Sequence, residues 1–266
     1  MHADPFDRYR AGNSAVHRAD ARVKLLFALA FALSNLLLPD GAWIAFGLSL
    51  GLVVVATLLA DLEPLYALKR SLIALPFALA AVAVVFTVPG QPLAGWQVGP
   101  WLLQPTDAGA VRFASIVTRS LLSVMGVVLL GATTPFPDIA HALRHLRVPA
   151  SFVAVLAFGY RYLFVLTDEA LRLMRARDAR RARPHGSPAG PSPIWHASVA
   201  GHMAGQLFVR SLDRAERVHQ AMVARGYTGH LPTLRRHQVR RVECLAFLLV
   251  LALLAALQAS ARMAGP

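Results

Sequence analysis

From Ala42 to Ala60 the chain runs for 19 residues without a charged side chain. About 20 helical residues are needed to cross roughly 30 Å of hydrocarbon, so this stretch reads as a membrane span. Similar apolar runs cover Leu25–Leu38, Ser71–Val88, Phe113–Gly131 and Val242–Ala259. The first is only just long enough with its flanks, and it stops at the turn-forming Pro39-Asp40-Gly41. Composition agrees: 56% of residues are hydrophobic and 15% charged, where a soluble domain carries about a quarter charged residues. The expected fold class is all-α, a polytopic membrane protein with about five transmembrane helices and a basic helical domain on the cytoplasmic side. Pro89–Asp107 reads as a loop whose Trp96 and Trp101 suit a membrane interface. Ser151–Leu166 is apolar but carries Arg161, and is expected along the interface or packed under the bundle. Arg119, inside the fourth span, is expected to snorkel or face the bundle, a place on a substrate path being the alternative.

Orientation follows from the basic residues. Of 27 Lys and Arg, 17 lie between Arg144 and Arg241. The N-terminal segment carries five (Arg8, Arg10, Arg18, Arg22, Lys24), the 39–41 turn none, the 61–70 loop two and the 89–112 loop one. Because Lys and Arg collect in cytoplasmic loops, the pattern predicts both the N-terminus and the 132–241 region inside, and a C-terminus outside with only Arg262. The expected division is 1–24 as a cytoplasmic N-terminal segment, 25–132 as spans one to four, 133–241 as cytoplasmic or interfacial coupling helices, and 242–260 as span five. The net charge of +13 is thus concentrated beside membrane spans, which favours the lipid bilayer over nucleic acid as its surroundings. The lone Cys244 leaves no intrachain disulfide and no cysteine metal cluster. Asp4, Asp7 and Asp20 make the N-terminus unlike a cleavable signal peptide.

The basic region reads as two helical pieces. Asp168–Arg181 comes first, Pro184–Pro193 is a breaker-rich linker, and a second helix follows that ends in Arg210–Gly226. At 100° per residue Arg210, Arg214 and Arg217 form one stripe with Arg225 close to it, while Phe208, Leu212, Ala215, His219 and Met222 fall opposite. Asp213 and Arg217 are spaced for an i,i+4 pair. Gly226 suits the left-handed position after a helix end, with Pro232 beyond it. On one account this is an ordinary basic helix: an Arg in the last turn complements the dipole by roughly 0.3–1 kcal/mol, and such a helix can lie on anionic lipid. However, the element occurs twice. Ala179-Arg180 ends the first helix and Ala224-Arg225 the second, 45 residues on. Two rigid helix ends, each presenting a guanidinium, make a plug for acidic grooves, where losing one buried Arg–carboxylate pair costs about 2–5 kcal/mol.

The chain resembles the transmembrane (T) component of energy-coupling-factor transporters, of the cobalt/nickel-type Q subunit (CbiQ-like). The likeness covers nearly the whole length. It rests on Gly12-Asn13-Ser14-Ala15-Val16-His17-Arg18-Ala19-Asp20-Ala21-Arg22-Val23-Lys24, on Thr133-Thr134-Pro135, on Tyr160-Arg161-Tyr162-Leu163-Phe164 and, most specifically, on Arg214-Ala215-Glu216-Arg217-Val218 continuing to Ala224-Arg225-Gly226-Tyr227. In that family two Ala-Arg-Gly-type motifs end the coupling helices, and their arginines bind grooves on two ATPase subunits. Ala224-Arg225-Gly226 matches fully. Ala179-Arg180-Arg181 departs at its third position, and Arg177 in Ala176-Arg177-Asp178 is a competing register. The resemblance therefore implies docking of two ABC-type ATPase subunits by Arg180 and Arg225, with Arg177 in reserve. It also implies coupling through Phe208, Leu212 and Met222 to a substrate-binding membrane subunit that selects cobalt, nickel or another cargo, all in the inner membrane.

No catalytic constellation accompanies these helices. The sequence holds no G-x-x-x-x-G-K-[ST] loop and no H-E-x-x-H, and its 14 acidic residues form no paired cluster. Neither enzyme activity nor a cofactor is expected. His141 and His145 share a helix face, but Arg144 and Arg147 beside them disfavour a cation. His2 belongs to a terminus expected to be disordered. Gly201 and Gly205 suggest a close helix crossing. The rival reading is a membrane-anchored scaffold whose basic amphipathic helices bind anionic lipid or a regulatory partner.

Overall fold

A computed structural model describes residues 9–92, 96–98, 101–103, 105–179, 192–229 and 241–263. The chain divides into a larger unit, with described residues 9–142 and 241–263, and a smaller one, with 143–179 and 192–229.

In the larger unit local chemistry sets the helix starts. Asp20 caps α2 (Ala21–Leu37), its carboxylate accepting from the Arg22 N–H at 2.9 Å. Thr106 caps α7 (Asp107–Thr133) by accepting from the Gly109 N–H at 3.1 Å. Pro39 and Pro135 follow the ends of these two helices, where a residue before proline leaves the helical region. A short α1 (Ala15–Arg18) precedes α2, and α3 (Trp43–Leu59) follows it. The third apolar segment begins earlier than its hydropathy suggests. Pro64 opens α4 (Pro64–Ser71), so Lys69 and Arg70 lie within a helix rather than before one. The segment continues through 3₁₀ turns at Leu72–Ala74 and Ala80–Ala83, on either side of α5 (Leu75–Leu79), and ends in α6 (Val84–Thr87). Pro76 has no N–H to give, and the tighter turns accommodate that gap. The stretch read as loop contains a small antiparallel hairpin, β1 (Trp96–Val98) and β2 (Trp101–Leu103), pairing Trp96 with Leu103.

Helix α7 is central, packing on α2, α3 and the α4–α6 segment, while α11 (Arg241–Met263) closes against α2 and α3. The core is layered along these helices. Leu38, Phe46, Leu122 and Leu257 form one cluster, Phe31, Val53, Met125 and Leu254 the next, and Leu62, Tyr66 and Leu129 a third. Gly126 lets α7 approach α2, because a Cβ there would lie 2.9 Å from the Phe31 ring. Asn35, between the first two layers, donates to the Phe31 carbonyl at 3.0 Å, and the Gln258 amide donates to the Ser34 carbonyl and, at 3.2 Å, to its hydroxyl. The outside is apolar: Ile44 and Phe77 are 80% and 82% exposed, a surface suited to lipid or to another membrane-embedded subunit and not to water.

The smaller unit holds α9 (Ala150–Ala179) and α10 (Pro193–Ala224); the unit boundary falls within α8 (Phe136–His145). Ser151–Leu166 runs unbroken into the first basic helix, and the two form one element of 30 residues. The second basic helix, whose end is the Arg210–Gly226 stretch, starts at Pro193, with Ser192 accepting from the Trp195 N–H at 3.3 Å and proline at its favoured first position. Leu65–Thr87, Asp107–Thr133, Ala150–Ala179 and Val242–Met263 are long and apolar enough to cross a membrane, and Trp43–Leu59 is a shorter apolar helix. That matches the expected all-α polytopic class.

Candidate functional site: a paired helix end and its arginine

Glu169 of α9 joins the two long helices. Its side chain is 14% exposed and accepts from Arg210 of α10 at 2.6 Å and from Arg172 at 3.3 Å. Arg210, which shares a stripe with Arg214 and Arg217, thus turns its guanidinium toward α9. Among the described residues no ion pair joins Asp213 to Arg217. Beside the clamp an open groove of about 820 Å³ is lined by residues including Arg172, Arg177, Trp195, His202 and Gln206.

The far end of α10 is sharply defined. Gly226 has φ +79°, a conformation that costs a side-chain-bearing residue roughly 1–2 kcal/mol. Its N–H donates to the Val223 carbonyl at 2.9 Å, and the Tyr227 N–H donates to the Met222 carbonyl at 3.0 Å. These two bonds make a complete Schellman cap. Arg225 is the capping residue, exposed and without a side-chain hydrogen bond or ion pair among the described residues. Arg177 differs, since its guanidinium is held by the adjacent Asp178 at 2.9 Å. Ala179 is the last described residue of α9; Arg180 and Arg181 lie outside the described residues, as does the linker from 184 to 191.

On α10, Phe208 and Leu212 are 63% and 55% exposed, while Met222 is half-buried and Ala224 exposed. A Cβ added at Gly201 or Gly205 would meet nothing within 4 Å, so the crossing expected at this small-residue pair is not made within the unit.

Two sequence motifs of the larger unit meet. Lys24 Nζ donates to the Thr133 carbonyl at 3.0 Å and to the His17 carbonyl at 3.4 Å, tying the 12–24 motif to Thr133-Thr134-Pro135. His17 is held between the Ser14 hydroxyl at 2.7 Å and the Arg10 carbonyl at 2.9 Å. Gly12 is needed there because a Cβ would come within 2.7 Å of the imidazole. The Arg10 guanidinium lies 4.4 Å from the Tyr66 ring centroid and that of Arg70 5.0 Å, two cation–π contacts on one ring. Arg119, 19% exposed, faces the bundle: it bonds the Asp40 carboxylate and the Leu38 carbonyl, each at 2.6 Å. It fastens the α2–α3 turn. His141 receives an Arg22 guanidinium at 3.4 Å, and among the described residues no three His, Cys, Asp or Glu are grouped to hold a metal ion. The Glu169 clamp and the Lys24 junction were not anticipated. Only the Glu169–Arg172 spacing gave a local signal.

Apolar helices of crossing length with an apolar outer surface define a multi-pass α-helical membrane protein. The chain belongs to the CbiQ family, whose model, described as cobalt transport protein, matches residues 12–235. It is similar to the cobalt transport protein CbiQ of Rhodobacter capsulatus, 32% identical over 189 residues, covering 70% of this chain and 72% of the relative. The energy-coupling factor transporter transmembrane protein EcfT of Thermosediminibacter oceani is 26% identical over 243 residues, 88% of each chain. A putative fused cobalt transport protein CbiMQ of Methanocorpusculum labreanum is 25% identical over 250 residues, 91% of this chain and 40% of the relative. The chain is accordingly a CbiQ-like T component of the energy-coupling-factor class, seated in the inner membrane.

Proposed function

We propose that this chain is the coupling subunit of an energy-coupling-factor importer. The ends of α9 and α10 dock two ABC-type ATPase subunits through Arg180 and Arg225. Closure of the ATPase pair moves these ends, and Phe208, Leu212 and Met222 transmit the motion to a separate substrate-binding membrane subunit. The chain has no catalytic role of its own, and the basic ends of α9 and α10 face the cytoplasm, where Lys and Arg gather beside membrane spans. The cargo is cobalt, or nickel if the partner subunit so selects. The description of the family and the names of the Rhodobacter and Methanocorpusculum relatives support a cobalt reading.

The observation that carries the docking reading is the end of α10. The Schellman cap fixes the backbone at Arg225 while its guanidinium is exposed and uncommitted among the described residues, which leaves a cation at a defined helix end for an acidic socket. Co-purification of the detergent-solubilised protein with its ATPase tests it, comparing Arg225→Glu with Arg217→Glu. Both substitutions change the charge equally, but only Arg225 sits at the cap. The expected result is loss of the complex for Arg225→Glu alone, by tenfold or more in retained ATPase. Equal loss from both, or loss from neither, overturns specific docking and favours the scaffold in which Arg214, Arg217 and Arg225 bind anionic lipid as a generic face.

A further inference from the structure

We propose that the larger unit carries a binding site for a phospholipid with a primary-ammonium headgroup, of the phosphatidylethanolamine class. An acyl chain fills the apolar cavity beside α2, the phosphate meets Lys24 and Arg18, and the ammonium meets Asp138. This reading needs only the membrane location, and is independent of ATPase docking.

Two cavities share Lys24. One, of about 280 Å³, is walled by apolar side chains including Val23, Phe27, Leu130, Phe247 and Val250, with Thr133 and Lys24 as its polar margin. The other, of about 590 Å³, is mostly polar and includes Arg18, Lys24 and Asp138 in its lining. Lys24 is the last residue before the apolar run that opens at Leu25. An apolar chamber thus meets a charged one where the membrane span begins, the division a phospholipid has between chain and headgroup.

The charges select the headgroup. Lys24 spends two of its three N–H donors on the Thr133 and His17 carbonyls, and one remains. Arg18 is exposed, with no side-chain partner among the described residues. Two cations thus face the phosphate position. The carboxylate of Asp138 on the same cavity accepts charge-assisted N–H bonds from a primary ammonium, stronger than those from the neutral hydroxyls of a glycerol headgroup, and a quaternary ammonium has none to offer. Burial pulls the Lys24 pKa from 10.5 down to about 8, with Asp138, Asp20 and Glu243 only partly opposing it. A phosphate would supply the missing compensation.

Native mass spectrometry of the full-length protein, equilibrated with vesicles of equal phosphatidylethanolamine, phosphatidylcholine and phosphatidylglycerol, reads the site directly. Wild type should retain the ethanolamine lipid about fivefold over either competitor. Asp138→Asn should retain lipid but lose that preference, and Lys24→Met should lower retention of all three. Arg18→Gln, at an exposed position, should also weaken retention and serves if Lys24→Met does not fold. Equal retention of the three lipids by wild type, preference for the glycerol lipid, or variants that behave as wild type would each overturn the proposal.

Discussion

Glu169 of α9 and Arg210 of α10 lie 41 residues apart in sequence and 2.6 Å apart in space. The acid is mostly covered and also receives Arg172, so one carboxylate organises two guanidinium groups and sets where the two long helices touch. A cleft that converges two arginines on one acid has no spare negative charge. Any further cation brought there is repelled.

Glu169→Gln should therefore loosen the helix pair without unfolding the chain. A double-mutant cycle with Arg210→Met is expected to return a coupling of about 0.5–1 kcal/mol, the range for a partly exposed pair. Distance measurement between spin labels on α9 and α10 reads the same change as a broader distribution. An unchanged distribution in Glu169→Gln would show that apolar contact alone fixes the pair.

Gly226→Ala should fray the end of α10. The left-handed φ of +79° makes the substitution cost about 1–2 kcal/mol, and relief comes by breaking the Tyr227-to-Met222 bond. Amide hydrogen exchange at Tyr227 should accelerate several-fold, and Gly226→Asn, which tolerates this conformation, should recover part of the protection. If ATPase retention falls with the protection, the position of Arg225 matters as well as its charge.

Lys24 predicts a pH effect in protein stripped of lipid. In the fold its pKa is about 8 because burial opposes the charge, against 10.5 in the unfolded chain. Between these values the unfolded chain holds a proton that the fold has released, so raising the pH through this window favours the folded state. Below about 8 both states carry the proton, and the full cost of the buried charge is present. The thermal midpoint of wild type in detergent should rise from pH 8 to 10 relative to Lys24→Met. A constant difference between the two proteins across that range would exclude it.

Much of this molecule is local in origin, and was legible for that reason. Apolar runs mark the spans because hydrocarbon admits few charges. Gly226 announces its turn because few other residues adopt that backbone. The motif ending in Ala224-Arg225-Gly226 can be read without knowing what surrounds it. Local signals also fall short in two places. Arg161 suggests a place along the interface or under the bundle for Ser151–Leu166, but it does not announce that this stretch and the first basic piece form one helix, Ala150–Ala179. Asp213 was matched to Arg217 by spacing alone, yet no such pair forms among the described residues.

What the sequence determined by itself is the class of the chain, its apolar spans, and the glycine cap that ends α10, because each depends on residues within a few positions of one another. Tertiary structure decided the rest. It turned Arg210 inward to Glu169, gave Arg119 to Asp40, and placed Lys24 against Thr133, 109 residues away. A charged side chain can be satisfied by any partner its fold brings within reach, and only packing determines which partner that is.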